Sequence, residues 1–78
     1  MERKQKNYAF VVEEQNYDGK GRYSKEIFQT LSEANSDAEN RWNYMSYADR
    51  DMSHVWVSRI DKATGKISYE PDGFDSDD

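Results

Sequence analysis

The sequence predicts a small α+β domain with two layers, in which a four-stranded antiparallel sheet carries one helix on one face. Three observations support this ββαββ architecture: hairpin-like segments lie at both ends of the chain, the stretch between them is amphipathic, and a capping box begins that stretch. Because the helix stands between two hairpins, the predicted order is strand–strand–helix–strand–strand.

The first hairpin is predicted from alternating side chains around a glycine-containing turn. Residues 8–13 alternate as a strand with two partly apolar faces. Residues 16–21 contain Asp-Gly, a pair that favours turn positions with positive φ. The chain is then expected to return as a second strand over 23–28, whose polar content is typical of an edge strand.

The helix is predicted over residues 31–45. Thr30 and Glu33 form a capping box, in which the Thr30 hydroxyl accepts the Glu33 amide and the Glu33 carboxylate accepts the Thr30 amide. The apolar stripe that should face the sheet consists of Leu31, Ala34, Ala38, Trp42 and Met45.

A second capping box follows directly. Ser46 and Asp49 repeat the same spacing, which predicts a break at Ser46 and a short helical turn through Met52. One bent helix is the alternative, because Ala48 and Met52 keep roughly to the first stripe.

The second hairpin has the strongest strand signal, over residues 54–60. The tight connection 61–66 contains Gly65, which suits a left-handed turn position. A short fourth strand over 67–69 should end at Pro71, because proline cannot donate to a ladder.

Both faces of the predicted sheet carry apolar residues. Because neighbouring residues alternate along a strand, Val55 and Val57 face away from Trp56 and Ile60. One helix covers one face, so the other is solvated, covered by a second copy, or used for binding.

The composition fits one small domain. The chain has 78 residues, and 35% of them are hydrophobic, which approaches the composition of disordered proteins. Two Trp, three Phe and six Tyr counter this, because large rings bury much of the area that a small core needs. The lack of cysteine excludes disulfides and thiolate metal sites.

The net charge of −5 is concentrated near the end of the sequence. Residues 72–78 contain four aspartates, and this segment is expected to be a disordered acidic tail. Residues 1–6 are expected to be a flexible N-terminus, and 7–71 to be the domain. No apolar stretch has the length of a signal peptide or a membrane span, so we expect a cytoplasmic protein without a membrane partner.

Catalytic chemistry has no sequence support. His54 is the single histidine, and no nucleophile signature accompanies it. Glu33 is explained by capping, and Asp37 pairs with Arg41 one helical turn later. The acidic segment lacks the spacing of a calcium loop. We therefore expect no catalytic residues, no metal site and no cofactor.

Protein binding is the favoured function from the residues. Tyrosine, tryptophan and arginine are enriched where protein interfaces concentrate binding energy. The candidate anchors for a host or phage protein are Tyr23, Tyr44, Tyr47 and Trp56. In the alternative interpretation, Tyr44 rims the core and Tyr47 is a solvated surface residue.

Two other partners stay open. Lys20, Arg22 and Lys25 lie among tyrosines in the first hairpin, a combination that can bind phosphate and stack on bases of a nucleic acid. The acidic charge of the chain opposes that interaction. A homodimer that pairs sheets or strand edges is the third hypothesis.

The segments that begin and end the helix carry a family resemblance. Residues 28–35, Phe-Gln-Thr-Leu-Ser-Glu-Ala-Asn, and 42–46, Trp-Asn-Tyr-Met-Ser, resemble small uncharacterised ββαββ proteins of Gram-positive bacteria and their phages, over about residues 8–70. In size and element order the chain is also similar to phage-encoded anti-CRISPR and other anti-defence inhibitors. This resemblance implies a phage or mobile-element regulator that inhibits a host defence protein by steric occlusion.

Overall fold

The computed structural model describes residues 7–15, 21–23 and 26–77, and for 21–23 it describes the backbone alone. It confirms a small α+β fold with an antiparallel sheet and one main helix. The elements in chain order are β1 (Tyr8–Gln15), β2 (Gly21–Tyr23), α1 (Leu31–Tyr44), α2 (Tyr47–Arg50), β3 (His54–Asp61) and β4 (Ile67–Tyr69).

Two long strands form the centre of the sheet. β1 and β3 pair along their whole length, from Tyr8 opposite Asp61 to Gln15 opposite His54. β2 and β4 are three residues each and lie on the outer edges, giving the order β2-β1-β3-β4. The central pair therefore fixes the register that decides which residues share a face.

The predicted second strand over 23–28 is wrong as one continuous strand. β2 ends with Tyr23 opposite Glu13, and Phe28 then forms a single bridge with Phe10, with both N–O distances at 2.8 Å. The two pairings are three residues apart in β1 but five residues apart in the returning chain. A regular ladder needs equal steps, so the two pairings do not belong to one regular ladder.

The N-terminus of α1 confirms the predicted cap, with one difference. Thr30 is the N-cap, and its hydroxyl oxygen accepts the Glu33 amide at 3.2 Å. The Thr30 hydroxyl itself donates to Glu33 Oε1 at 3.1 Å, so the carboxylate binds the capping side chain instead of the Thr30 amide. The helix ends at Met45, whose amide donates to the Trp42 carbonyl at 3.2 Å.

The predicted break at Ser46 is confirmed. The Ser46 hydroxyl accepts the Asp49 amide at 3.2 Å and caps α2, so the alternative of one bent helix is wrong. Arg50 connects the two helices, because its Nε donates to the Trp42 carbonyl at 3.0 Å and its guanidinium lies 5.6 Å from the Trp42 ring centroid.

The core lies between α1 and one face of the central strands. Phe10 and Val12 of β1 and Val55 and Val57 of β3 are buried there, against Ala34 and Ala38 of α1. This confirms the predicted alternation in β3 and the predicted helical stripe. Partly buried residues surround this core: Tyr8, Phe28, Leu31, Trp42, Met45 and Phe74.

Residues 70–77, here the C-terminal segment, pack against β3. The Val57 amide donates to the Phe74 carbonyl at 3.2 Å, and the Ser76 amide donates to the Val55 carbonyl at 2.9 Å. The expectation of disorder from residue 72 is therefore corrected for residues 72–77. Because β4 is short, the edge of β3 beyond it has free backbone groups, and the segment pairs with them.

Three elements meet at the turn that leads into this segment. A side chain at Gly73 would bring a Cβ within 2.8 Å of the Val57 Cβ, so the turn approaches β3 as closely as glycine allows. The Asn35 Oδ1 of α1 accepts the Phe74 amide at 2.8 Å. The helix, β3 and the C-terminal segment are thus held together at one point.

Candidate functional site

The sheet face opposite α1, here the open face, is partly apolar. Strand pairing places Ile60 beside Ile67, and Ser58 beside Tyr69, on the same side as Trp56. Ile67 and Tyr69 are 44% and 47% exposed. The exposed apolar surface of the open face is therefore on its β4 side, whereas Ala9 and Val11 of β1 are buried on the same face.

A polar pair lies near the middle of the open face. Ser58 is buried, and its hydroxyl donates to the Glu13 carboxylate of the neighbouring strand. The apolar surface on the β4 side is thereby next to a carboxylate whose position is held by a hydrogen bond. Such a mixture of apolar area and fixed polar groups is common in protein interfaces.

Four side chains from β3, β4 and the C-terminal segment meet at one end of this face. This group, here the His54 cluster, contains His54, Tyr69, Asp75 and Asp77. His54 Nε2 lies 2.8 Å from Asp75 Oδ1 and 3.3 Å from Asp77 Oδ2. The Tyr69 hydroxyl donates to the other oxygen of the Asp75 carboxylate.

The sheet backbone positions this cluster. β3 begins at His54, and Asp75 forms a bridge with Trp56 on the side of β3 that faces away from β1. Because alternate residues of a strand share a face, the His54 and Trp56 rings lie side by side, with centroids 4.6 Å apart. The cluster therefore adjoins the aromatic part of the open face.

The hydrogen bonds of the cluster favour an ionised Asp75. Burial raises the pKa of the Asp75 carboxyl, but the hydrogen bonds from Tyr69, from His54 and from the Asp77 amide together outweigh it. The pKa of Asp75 is therefore below its ordinary value. The carboxylate keeps its negative charge beside the open face despite being only 11% exposed.

The predicted protein-binding anchors fall in two layers. Trp56 lies on the open face, whereas Tyr44 and Tyr47 belong to the helices, where they are 95% and 82% exposed. The alternative that Tyr44 rims the core is wrong at this exposure. The Tyr23 backbone pairs with Glu13 in the row that contains Trp56, and its side chain lies outside the described part of the structure.

The predicted phosphate-binding residues cannot be placed in the site. Lys20 and Lys25 lie outside the described residues. The Arg22 backbone pairs with Glu14 in β2, and its side chain also lies outside the described part. The nucleic-acid hypothesis stays a prediction.

Sequence reasoning missed the C-terminal half of the site. Acidic composition predicts a disordered tail at residues 72–78, yet Asp75 and Asp77 contact a histidine more than twenty residues earlier in the chain. One signal was present: Ile67 and Tyr69 alternate in the same way as Trp56 and Ser58, which predicts a shared face once the hairpin register is known.

Comparison with protein-family models, with curated proteins and with solved structures finds no match to this chain. Among the described residues, no helix combines the length and the apolar character that a membrane crossing requires.

Proposed function

We propose that this chain is a non-enzymatic ββαββ interaction module that binds a partner protein through the open face. The observation that carries this proposal is the exposed apolar surface of Ile67 and Tyr69 beside Trp56, on the side of the sheet that α1 leaves uncovered. Aromatic residues in such a position are typical centres of binding energy in protein interfaces.

The proposed partner has a basic rim around an apolar contact. Asp75 keeps a negative charge at one end of the open face, and the adjacent Asp77 side chain is 70% exposed. Lysine or arginine on the partner would complement these carboxylates, while apolar side chains would cover Ile67 and Tyr69.

The resemblance to small phage proteins suggests the biological setting. We propose that the partner is a host defence protein in the cytoplasm and that the module inhibits it by steric occlusion. Steric occlusion needs a tight complex and enough volume to block the partner's site, but it needs no catalytic residues. A rigid sheet presents its binding side chains at low entropic cost, which suits that role.

The test compares open-face and helical-layer variants of the full chain. Tagged protein captures partners from nuclease-treated bacterial lysate, and the captured protein is then purified for titration calorimetry. We expect Trp56→Ala and Ile67→Lys each to weaken binding at least about tenfold, because both remove apolar contact area. The matched controls Tyr44→Ala and Tyr47→Ala should leave the affinity unchanged.

Each outcome has a defined meaning. If Tyr44→Ala and Tyr47→Ala weaken binding while the open-face variants bind like the unchanged chain, the interface lies on the helices instead of the open face. Capture that requires untreated lysate would instead favour nucleic-acid binding through Lys20, Arg22 and Lys25, with a steep dependence on salt. Concentration-dependent mass in light scattering, abolished by Ile67→Lys, would identify a second copy as the occupant.

A further inference from the structure

We infer that His54, Asp75 and Asp77 form a binding site for a divalent transition metal ion such as Zn²⁺. Sequence spacing does not predict a metal site here, because His54 lies 21 residues before Asp75 and the three residues follow no ligand motif. The site uses the same two aspartates, Asp75 and Asp77, whose charge the proposed partner would meet, but zinc binding is tested without any partner protein.

The donor atoms are already close to the arrangement that the metal requires. The imidazole nitrogen and one oxygen of each carboxylate all lie within 4.8 Å of one another, and Nε2 lies 2.8 Å and 3.3 Å from the two oxygens. In a tetrahedral zinc site with bonds of 2.0–2.2 Å, donor atoms are about 3.4 Å apart. The contact between His54 and Asp75 would lengthen by about half an ångström to reach this spacing, the contact with Asp77 already matches it, and the two carboxylate oxygens lie within 4.8 Å of each other.

The backbone holds both donor-bearing segments in place. Trp56 forms a bridge with Asp75, and the Ser76 amide donates to the Val55 carbonyl at 2.9 Å. The two segments are thereby fixed beside each other without any contribution from the donor side chains. A site of this kind loses little conformational entropy when the ion binds.

Neighbouring side chains orient two of the donors. The Tyr69 hydroxyl binds one oxygen of the Asp75 carboxylate, so the other oxygen is directed towards His54. The Trp56 ring lies against the His54 ring and restricts its rotation. Hydrogen bonds from outside groups to ligating carboxylates are a regular feature of protein metal sites.

The donor types select the metal. Calcium and magnesium prefer oxygen donors alone, whereas imidazole nitrogen suits zinc and its transition-metal neighbours. Two carboxylates also supply the negative charge that balances a divalent ion. Because Asp77 is 70% exposed, a fourth coordination position is open to water.

The experiment is a calorimetric titration of the full chain with ZnCl₂ at pH 7.5, together with thermal unfolding at increasing zinc. We expect saturable one-to-one binding and a rise in unfolding temperature with zinc concentration. Co²⁺ bound in place of Zn²⁺ should give the visible absorption bands of tetrahedral coordination. Asp77→Asn and His54→Gln should each weaken binding at least about tenfold.

The matched control is Asp72→Asn, which makes the same charge change in the same segment but outside the cluster. It should bind zinc like the unchanged chain. Because Asp77 is largely exposed, its substitution leaves folding intact, so weak binding by that variant reports on the site itself. Absence of saturable binding, or equal losses in Asp72→Asn and Asp77→Asn, would overturn the inference.

Discussion

Gly73 lies very close to β3. A Cβ at this position would lie 2.8 Å from the Val57 Cβ, and Val57 is fully buried in the core. We expect Gly73→Ala to lower the free energy of unfolding by about 1–3 kcal/mol, because the turn must shift away from β3. Urea denaturation measures the difference.

Gly65 provides the comparison for this substitution. It has a φ of 78° with no atom near its would-be Cβ, so Gly65→Ala tests backbone strain without a clash. That variant should lose about 1 kcal/mol. A Gly73→Ala protein as stable as the unchanged chain would contradict the close packing of the turn.

Asn35 connects α1 to the C-terminal segment through one hydrogen bond. Its Oδ1 accepts the Phe74 amide at 2.8 Å, in a partly buried position. We expect Asn35→Ala to cost about 1–2 kcal/mol, because the Phe74 amide loses its partner. Asn40→Ala on the exposed side of the same helix is the control, and it should be neutral or slightly stabilising because alanine favours helix.

Residues with local roles were predictable from the sequence. Thr30, Ser46 and Gly65 act on groups within three or four positions, and their spacing alone predicted the caps and the turn. Asn35 and Gly73 act on residues far along the chain. No local pattern carries that information, because their roles arise only when the tertiary structure brings the elements together.

The C-terminal segment follows β4 through a turn and continues the pairing along the same edge of β3. It covers the core with Phe74 and pairs with the remaining edge of β3. Its acidic composition suggested disorder, but one aromatic residue and an available strand edge decide the outcome. Element prediction was weakest where pairing with a distant strand, rather than local pattern, determines the structure.

A chain shortened to end at Glu70 should therefore lose its cooperative unfolding transition. The shortening removes Phe74 from the core and leaves backbone groups of Val55 and Val57 without partners. Circular dichroism during heating and in urea measures this.

The control for the shortened chain keeps all residues and changes charge alone. A double variant, Asp72→Asn with Asp77→Asn, should stay folded. Phe74→Ala should lower the free energy of unfolding by about 3 kcal/mol, which is most of the effect expected from the shortening. A stable shortened chain would show that residues 71–77 contribute no core packing.

The two tryptophans lie in opposite layers of the structure and can report on each layer separately. Trp42 packs at the margin of the helical core, and Trp56 lies on the open face beside the C-terminal segment. We expect the single-tryptophan variants Trp42→Phe and Trp56→Phe each to show one fluorescence transition in urea. Each should coincide with the loss of helical circular dichroism measured on the same variant.

This expectation follows from the single core that both layers share. An earlier transition for the Trp56 signal would mean that the C-terminal segment detaches before the remaining structure unfolds. Circular dichroism of both variants in the absence of urea checks that neither substitution changes the fold.

More of the architecture than of the site was predictable from the sequence. Local spacing predicted α1, the break at Ser46 and the two faces of β3. Predicting the His54 cluster requires knowing where the C-terminal segment packs, and the acidic composition of that segment predicts a disordered tail instead. Side chains that act together across a sheet are specified by register, and register depends on long-range packing.

The pairing of β1 with β3 has a consequence for how fast the chain folds. The contact between these strands that is closest in sequence joins Gln15 to His54, so every β1–β3 contact closes a loop that includes the whole helix. The helix and the β3–β4 hairpin can form early from local interactions. We expect the pairing of β1 with β3 to limit the folding rate, because loop-closure entropy is lost before the core contacts compensate for it.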